Sequence, residues 1–464
     1  MATQHRGYEA FGSFHTPSTD ALFTGKMPDD LPDPATFLPR LTDDDRVHLD
    51  ASAHNRQLFT IDFSQWTYLN HGAFGGPTRF ASRVAAAWRE FSDAQPLQFN
   101  DRQLFPYVVQ SIVALARVLN VKIPQELVLL PNATSGLHAV LDSVLTRPDD
   151  GEEDDDVVFI FNVRYGAVRK MLQSLETNTK LTVHEEPLTL AESYDDDTVL
   201  RNLAGFLATT QATSGRRCPL VVVDHITSNT GVILPVDRIV ALCHEYGVPV
   251  LVDGAHGLFN LDLDLEAINA DYYVGNCHKW FASPKGAAFL HVNQHSAMAQ
   301  TQHIKILPRV VSHGFFDGFQ SAFMWMGLQD YAPWLSLPQC IAFWEQQNPV
   351  ICREYMRNLA QEATELLYDA WGMPQELDAA RGFPKHKRHA MRLVQLPHKS
   401  IFGVDCNGAN NSADAKHIQD TLHYQHKIEV PVKCVDGQLY VRISSHVYNH
   451  RGDYERLASV IDES

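Results

Sequence analysis

Short apolar runs recur through the middle of the chain, with stretches of helical spacing between them. Leu127 to Leu130, Asp156 to Phe161, Leu220 to Asp224, Val248 to Asp253, Ala270 to Gly275 and Gly286 to Leu290 are such runs. Val168 to Leu175 and Val236 to Tyr246 lie between them with apolar residues three and four apart, as a helix requires. Continuous apolar strands alternating with helices demand a mainly parallel sheet covered on both faces, hence an α/β fold. A chain of 464 residues exceeds a single core and predicts more than one domain. Outside this block, helices are expected at Arg79 to Phe91, Phe105 to Leu119 and Ile351 to Trp371, and strands at Met391 to Leu396 and Gln438 to Ile443. Val310 to Gly327, rich in glycine and aromatics, reads as a loop. Residues 1 to about 60 are Pro-rich and polar and read as a partly ordered arm or a disordered tail.

The formal net charge of −17 repels phosphate backbones, which argues against nucleic acid and anionic membrane as partners. No run of about 18 apolar residues is present, and Met1 to Arg6 carries no secretory pattern. Seven cysteines lie dispersed between Cys218 and Cys434 without a CxxC pair. That usage reads as reduced thiols in the cytoplasm and predicts no metal site. The acidic run Asp149 to Asp156 reads as a solvated loop.

Three features carry chemistry together. Asp253 ends an apolar run, where open parallel sheets place ligands; alone, it is equally a loop cap. His256 follows three residues on. His278-Lys279 stands about 25 residues later, just past another run; alone, Lys279 reads as a surface lysine. Pro131-Asn132-Ala133-Thr134-Ser135-Gly136 joins a strand to a helix, which by itself is no more than a helix cap. As a set they suit pyridoxal 5′-phosphate (PLP). Its ring nitrogen needs an anion to keep a proton, its aldehyde needs an amine, and its phosphate needs donors at a helix N-terminus.

The order and spacing of Tyr68 to Gly75, Pro131 to Gly136, Ser228-Asn229-Thr230-Gly231, Asp253 to His256, His278-Lys279 and Val441-Arg442-Ile443-Ser444 resemble the class V aminotransferases. The likeness runs from about Tyr68 to Asn449, within the branch of isopenicillin-epimerase-like proteins and cysteine desulfurases. It implies an aspartate-aminotransferase-like fold and a homodimer with sites at the interface. The expected division is an arm and small-domain segment at 1–75, a large PLP-binding domain at 76–310 and a small α+β domain at 311–464. The resemblance also implies roles. Lys279 would bind PLP and shuttle protons, Asp253 would pair with the ring nitrogen, and His256 and Asn229 would sit at the phenolic oxygen. Ala133, Thr134 and His278 would take the phosphate. Tyr165 would stack on the ring, unless it is a core tyrosine. Arg442, with Asn70 and His71, would hold an amino-acid substrate by its carboxylate, unless His71 is only a turn residue.

The chain departs from these relatives in its cysteines. Cys434 lies eight residues before Arg442, closer than the nucleophilic cysteine of desulfurases, and reads as structural. No cysteine precedes Cys218, where related carbon–sulfur lyases of ergothioneine synthesis carry one. Leu328 stands where relatives often have a threonine that reaches the other subunit's phosphate. The reading is therefore a PLP enzyme acting at Cα through external aldimine and quinonoid. A decarboxylating or carbon–carbon bond-forming Mannich-type cyclisation of specialised metabolism, as in fungal loline-type members, leads. A C–S lyase, cysteine desulfurase or amino-acid epimerase is the alternative, and a non-catalytic PLP-fold binding protein is the rival of another class. A dinucleotide-binding enzyme fails for want of a G-x-G-x-x-G after the first strand. Phe315-Phe316 to Trp325, Tyr331 and Trp334 are expected either to wall a substrate pocket or to pack an interface.

Overall fold

A computed structural model describes residues 19–24, 31–146, 155–296, 304–315, 317–378 and 387–464. Phe316, most of the acidic run and the first part of the arm lie outside these residues.

The recurrent runs form one sheet. Its strands are β1 (Leu127–Leu130), β2 (Asp155–Phe161), β3 (Thr182–Glu186), β4 (Val221–Asp224), β5 (Val250–Asp253), β6 (Tyr272–Asn276) and β7 (Ala288–Val292). The spatial order is β1-β7-β6-β5-β4-β2-β3, with short Arg216–Arg217 added beside β2. Only β7 runs against its neighbours. Side chains alternate between two cores with the period of a strand: Val221, Val223, Val250 and Val252 enter one, Val222 and Leu251 the other. Helices α1 (Arg79–Ala94) and α2 (Leu104–Val118) cover the first face, and α3 (Ala133–Leu145) and α4 (Gly166–Asn178) the second. Both faces being covered, the central strands can be apolar throughout, which is why they read as runs rather than alternations.

A second sheet, β8 (Met391–Gln395), β9 (Val432–Val435) and β10 (Gln438–Ser444), is antiparallel in the order β8-β10-β9. It shares a third core with α5 (Pro349–Ala370), α6 (Ser412–His426) and α7 (Arg451–Asp462). Thr67–Tyr68 pairs in parallel with Ile428–Glu429 and ties the N-terminal segment to this unit.

Trp334, Phe343 and Trp344 are buried in the first core, as are Cys352 and Met356 of α5, whereas Leu359, Ala363 and Leu367 of α5 join the third, so α5 packs against both. The expected loop at 310–327 contains a helix, Phe319–Met324, which is buried nearly all round and so shows no one-sided spacing. Trp325, Tyr331 and Trp334 are core residues, the last donating its indole N–H to the Gly286 carbonyl at 3.0 Å. Residues 31–60, read as arm, pack Leu38, Leu58 and Phe59 into the first core.

The turn after β5 passes against the Tyr273 ring, and a Cβ on Gly254 would lie 2.1 Å from it. Gly205, by contrast, faces open space on a helix. Gly254→Ala should lower stability by about 1–3 kcal/mol through the forced shift. Gly205→Ala should match or exceed the parent. Thermal unfolding of the two variants beside the parent checks both.

Candidate active site

A cavity of about 740 Å³ opens at the carboxyl ends of β4, β5 and β6, between the two sheets. Asn70, Ala133, Thr134, Tyr165, Asn229, Asp253, His256, His278, Lys279 and Arg442 all line it. Of the residues singled out from the sequence, only His71 does not.

Two carboxylates stand side by side at its floor, because Asp224 ends β4 in register with Asp253 at the end of β5. Both are buried. Asp253 accepts from the Ala255 amide at 3.0 Å, and Asp224 accepts from the amides of Tyr165 and Ser228. Burial, then repulsion from Asp253, pushes the Asp224 carboxyl well above the usual range. Burial also raises Asp253, but Lys279 opposes that shift. Of the two, Asp224 is the carboxyl that takes up a proton more readily. Asp224 escaped the sequence reading although it ends its apolar run just as Asp253 does.

Lys279 is fixed by a relay. The indole N–H of Trp280 donates to Nδ1 of His256 at 3.2 Å, and Nε2 of His256 lies 3.3 Å from the Lys279 amine. Burial, with Lys279 nearby, holds His256 well below its ordinary pKa, so the ring is neutral. An indole can only donate, so the single ring proton sits on Nε2, and the hydrogen bond to Lys279 requires an unprotonated amine as acceptor. Burial pushes Lys279 down to about 8 against the pull of Asp253, so the neutral form is accessible.

His71 has a different place from the one expected. It is buried, stacks on His446, and hydrogen-bonds through Nε2 to the Lys279 carbonyl at 3.1 Å and through Nδ1 to the Tyr448 hydroxyl at 2.8 Å. His446 likewise donates from Nε2 to the Trp280 carbonyl at 3.0 Å. The two rings clamp the Lys279-Trp280 backbone from behind and do not face the cavity.

At the opposite wall, Asn132 caps α3 by accepting from the Ser135 amide, and the Ala133 amide donates to Asn276. The amide of Thr134, one residue on, begins a helix whose dipole favours an anion. Nδ1 of His278 donates to the Ala287 carbonyl at 2.9 Å, which fixes its ring beside this terminus. Arg442 is almost wholly buried. It donates to the Ser228 carbonyl and, at 3.2 Å, to Asn70 Oδ1, while its Nε has no partner.

A family model for the class-V aminotransferases matches residues 109–375. The chain belongs to this family. Among relatives, a putative L-cysteine desulfhydrase of Oryza sativa subsp. japonica is 30% identical over 415 residues, covering 85% of this chain and 82% of the relative. An isopenicillin N epimerase of Amycolatopsis lactamdurans is 30% identical over 430 residues, covering 89% and 98%. The solved apo structure of a cysteine desulfurase from Thermococcus onnurineus superposes with a TM-score of 0.64 at 16% identity, over 90% of this chain and 98% of that one, which shows the shared fold.

Class-V aminotransferases are PLP enzymes, and the residues present fit that cofactor. A buried anion at Asp253 faces the cavity with no cationic side chain hydrogen-bonded to it among the described residues. A lysine amine that burial pushes toward its neutral form and a helix N-terminus stand at the same cavity. Together they match a protonated ring nitrogen, an aldehyde and a phosphate.

Loading of the apoprotein with PLP should quicken as pH rises and reach half its limiting rate near about 8, because only the neutral Lys279 amine attacks. In Trp280→Phe the His256 proton is free to move to Nδ1, leaving Nε2 to stabilise the ammonium, and the midpoint should rise. Stopped-flow absorbance across pH checks both, and an unmoved midpoint in a folded variant would dismiss the relay.

Proposed function

We propose that this protein is a PLP-dependent lyase that breaks the Cα–H bond of an α-amino acid and eliminates a substituent further along the side chain. The observation that carries this is the buried Lys279 amine, 3.3 Å from Nε2 of His256, in the same cavity as Arg442. PLP, when bound, supplies an electron sink for the negative charge left at Cα. Lys279 anchors it and moves the proton, Asp253 holds the ring-nitrogen proton, and Tyr165, Asn229, Ala133, Thr134 and His278 position the ring and phosphate. Arg442 and Asn70 hold the substrate carboxylate. A carboxylate tied by charge-assisted hydrogen bonds is held against departure as carbon dioxide, which favours C–H cleavage over decarboxylation.

Cysteine placement supports elimination over sulfur transfer. No cysteine lines the cavity among the described residues. The Cys434 thiol donates to the Asn410 carbonyl at 3.2 Å in a neighbouring cleft, and burial pushes its pKa up, so it is a poor nucleophile. We read the protein as a homodimer: Phe74 lines the cavity yet is 75% exposed, and Leu328 is 76% exposed, so both await cover. The reduced, mostly buried cysteines suit the cytoplasm. No described helix is long and apolar enough to cross a membrane.

The test is incubation with candidate amino acids in heavy water. Ammonia, the eliminated substituent and an oxo acid carrying deuterium on its side chain are the expected result. Release of carbon dioxide with a new carbon–carbon bond would instead assign the decarboxylating, Mannich-type route of specialised metabolism. Exchange with inversion and no elimination would assign an epimerase. Absence of any change with every amino acid would leave a binding protein. Lys279→Ala should lower turnover by roughly 10²–10⁴-fold in rate, the usual contribution of a proton-transfer group. Arg442→Ala should raise KM far more than it lowers PLP content, as steady-state kinetics and cofactor absorbance will show.

A further inference from the structure

Lys433 is a half-buried cation with no partner among the described residues. It lies on β9 opposite Tyr440, and since side chains alternate along β10, Lys433 and Arg442 share one face of the sheet as diagonal neighbours. Among the described residues its ammonium makes no hydrogen bond or ion pair. Glu429, which lines the same cavity, is occupied by Asn70 at 2.9 Å and by His423 at 2.8 Å. Burial, then Arg442, pushes Lys433 down to about 8, so it still carries its proton at neutral pH.

Two cations on one face of the sheet with no anion between them repel each other and lose hydration. Such a pair is stable in use only if the ligand brings the negative charge. Arg442 accounts for one carboxylate; Lys433 is left over. Its position is also informative. Lys433, Asn229 and Gln419 line both the main cavity and an adjoining cleft of about 510 Å³. Gln419 spends its carbonyl oxygen on the Val432 amide at 3.0 Å, which leaves its NH₂ group for the same junction.

We propose that Lys433 selects amino acids whose side chain carries a second carboxylate, bound by Lys433 and Gln419 at the junction of the two cavities while Arg442 holds the α-carboxylate. The inference rests on the reading of this cavity as an amino-acid site and deepens it. The substrate is then a dicarboxylic α-amino acid, long enough to reach from Arg442 to Lys433, with any further substituent extending into the adjoining cleft. Lys433 acts on specificity and takes no part in moving the Cα proton.

The experiment titrates holoenzyme with L-glutamate and L-2-aminoadipate, and with L-glutamine and L-norleucine as their uncharged counterparts, reading Kd from the cofactor absorbance without need of turnover. At least one acid should bind roughly 10–100-fold tighter than its neutral counterpart, the worth of one charge-assisted contact. Lys433→Met should bring that ratio to within about threefold of unity, while Lys433→Arg should keep it. Cofactor content and melting temperature control for folding; if Lys433→Met fails to load, Lys433→Gln makes the same comparison. Equal binding of acids and neutral amino acids, or a preference that survives removal of the ammonium, overturns the inference and leaves the enzyme reading standing. A cofactor band that no amino acid perturbs overturns the enzyme reading, and the inference with it.

Discussion

The state of one amine governs the rest. Lys279 faces a cavity bounded by two buried carboxylates and a buried guanidinium, and its charge depends on which of these prevails. The relay from Trp280 through His256 presents a donor to the amine and so favours its neutral form, while Asp253 favours the ammonium. Behind it, His71 and His446 hold the carbonyls of Lys279 and Trp280. Both rings are kept neutral by burial, His446 being pushed down to about 4. The amine is therefore held by side chains from both structural units, and the position of the second sheet is coupled to the chemistry of the first.

The same cavity is built of charges that the chain does not neutralise. Among the described residues Asp253 has no cation hydrogen-bonded to it, Arg442 keeps an unpaired Nε, and half-buried Lys433 has no hydrogen bond or ion pair. Buried uncompensated charge costs several kcal/mol per ion and persists where a ligand completes it. Asp253 matches the cofactor ring, and Arg442 and Lys433 match the two ends of a dicarboxylate. Burial and the neighbouring Asp253 push the Asp224 carboxyl up, which disfavours a second negative charge beside Asp253.

Much of this was legible in the residues. Buried parallel strands must be apolar on both faces, so β4, β5 and β6 announced themselves as runs, and the polar residue ending each run marks the ligand edge. Asp253 and Lys279 follow from that rule. Asp224 obeys it equally and was passed over because no partner motif pointed to it. The helix Phe319–Met324 and the core tryptophans after it were illegible for a different reason: residues buried on all sides carry no periodicity.

By itself the sequence determined the alternation of strands and helices, the family, and most of the polar residues that line the cavity. These are matters of local pattern, because burial on a sheet and capping of a helix are written in neighbouring positions. Only the tertiary structure decided that His71 braces a backbone carbonyl, that Asp224 stands beside Asp253, and that Lys433 lacks a partner among the described residues. Each depends on contacts between residues far apart in the chain, and the hydration and charge of a side chain are set by what surrounds it in space.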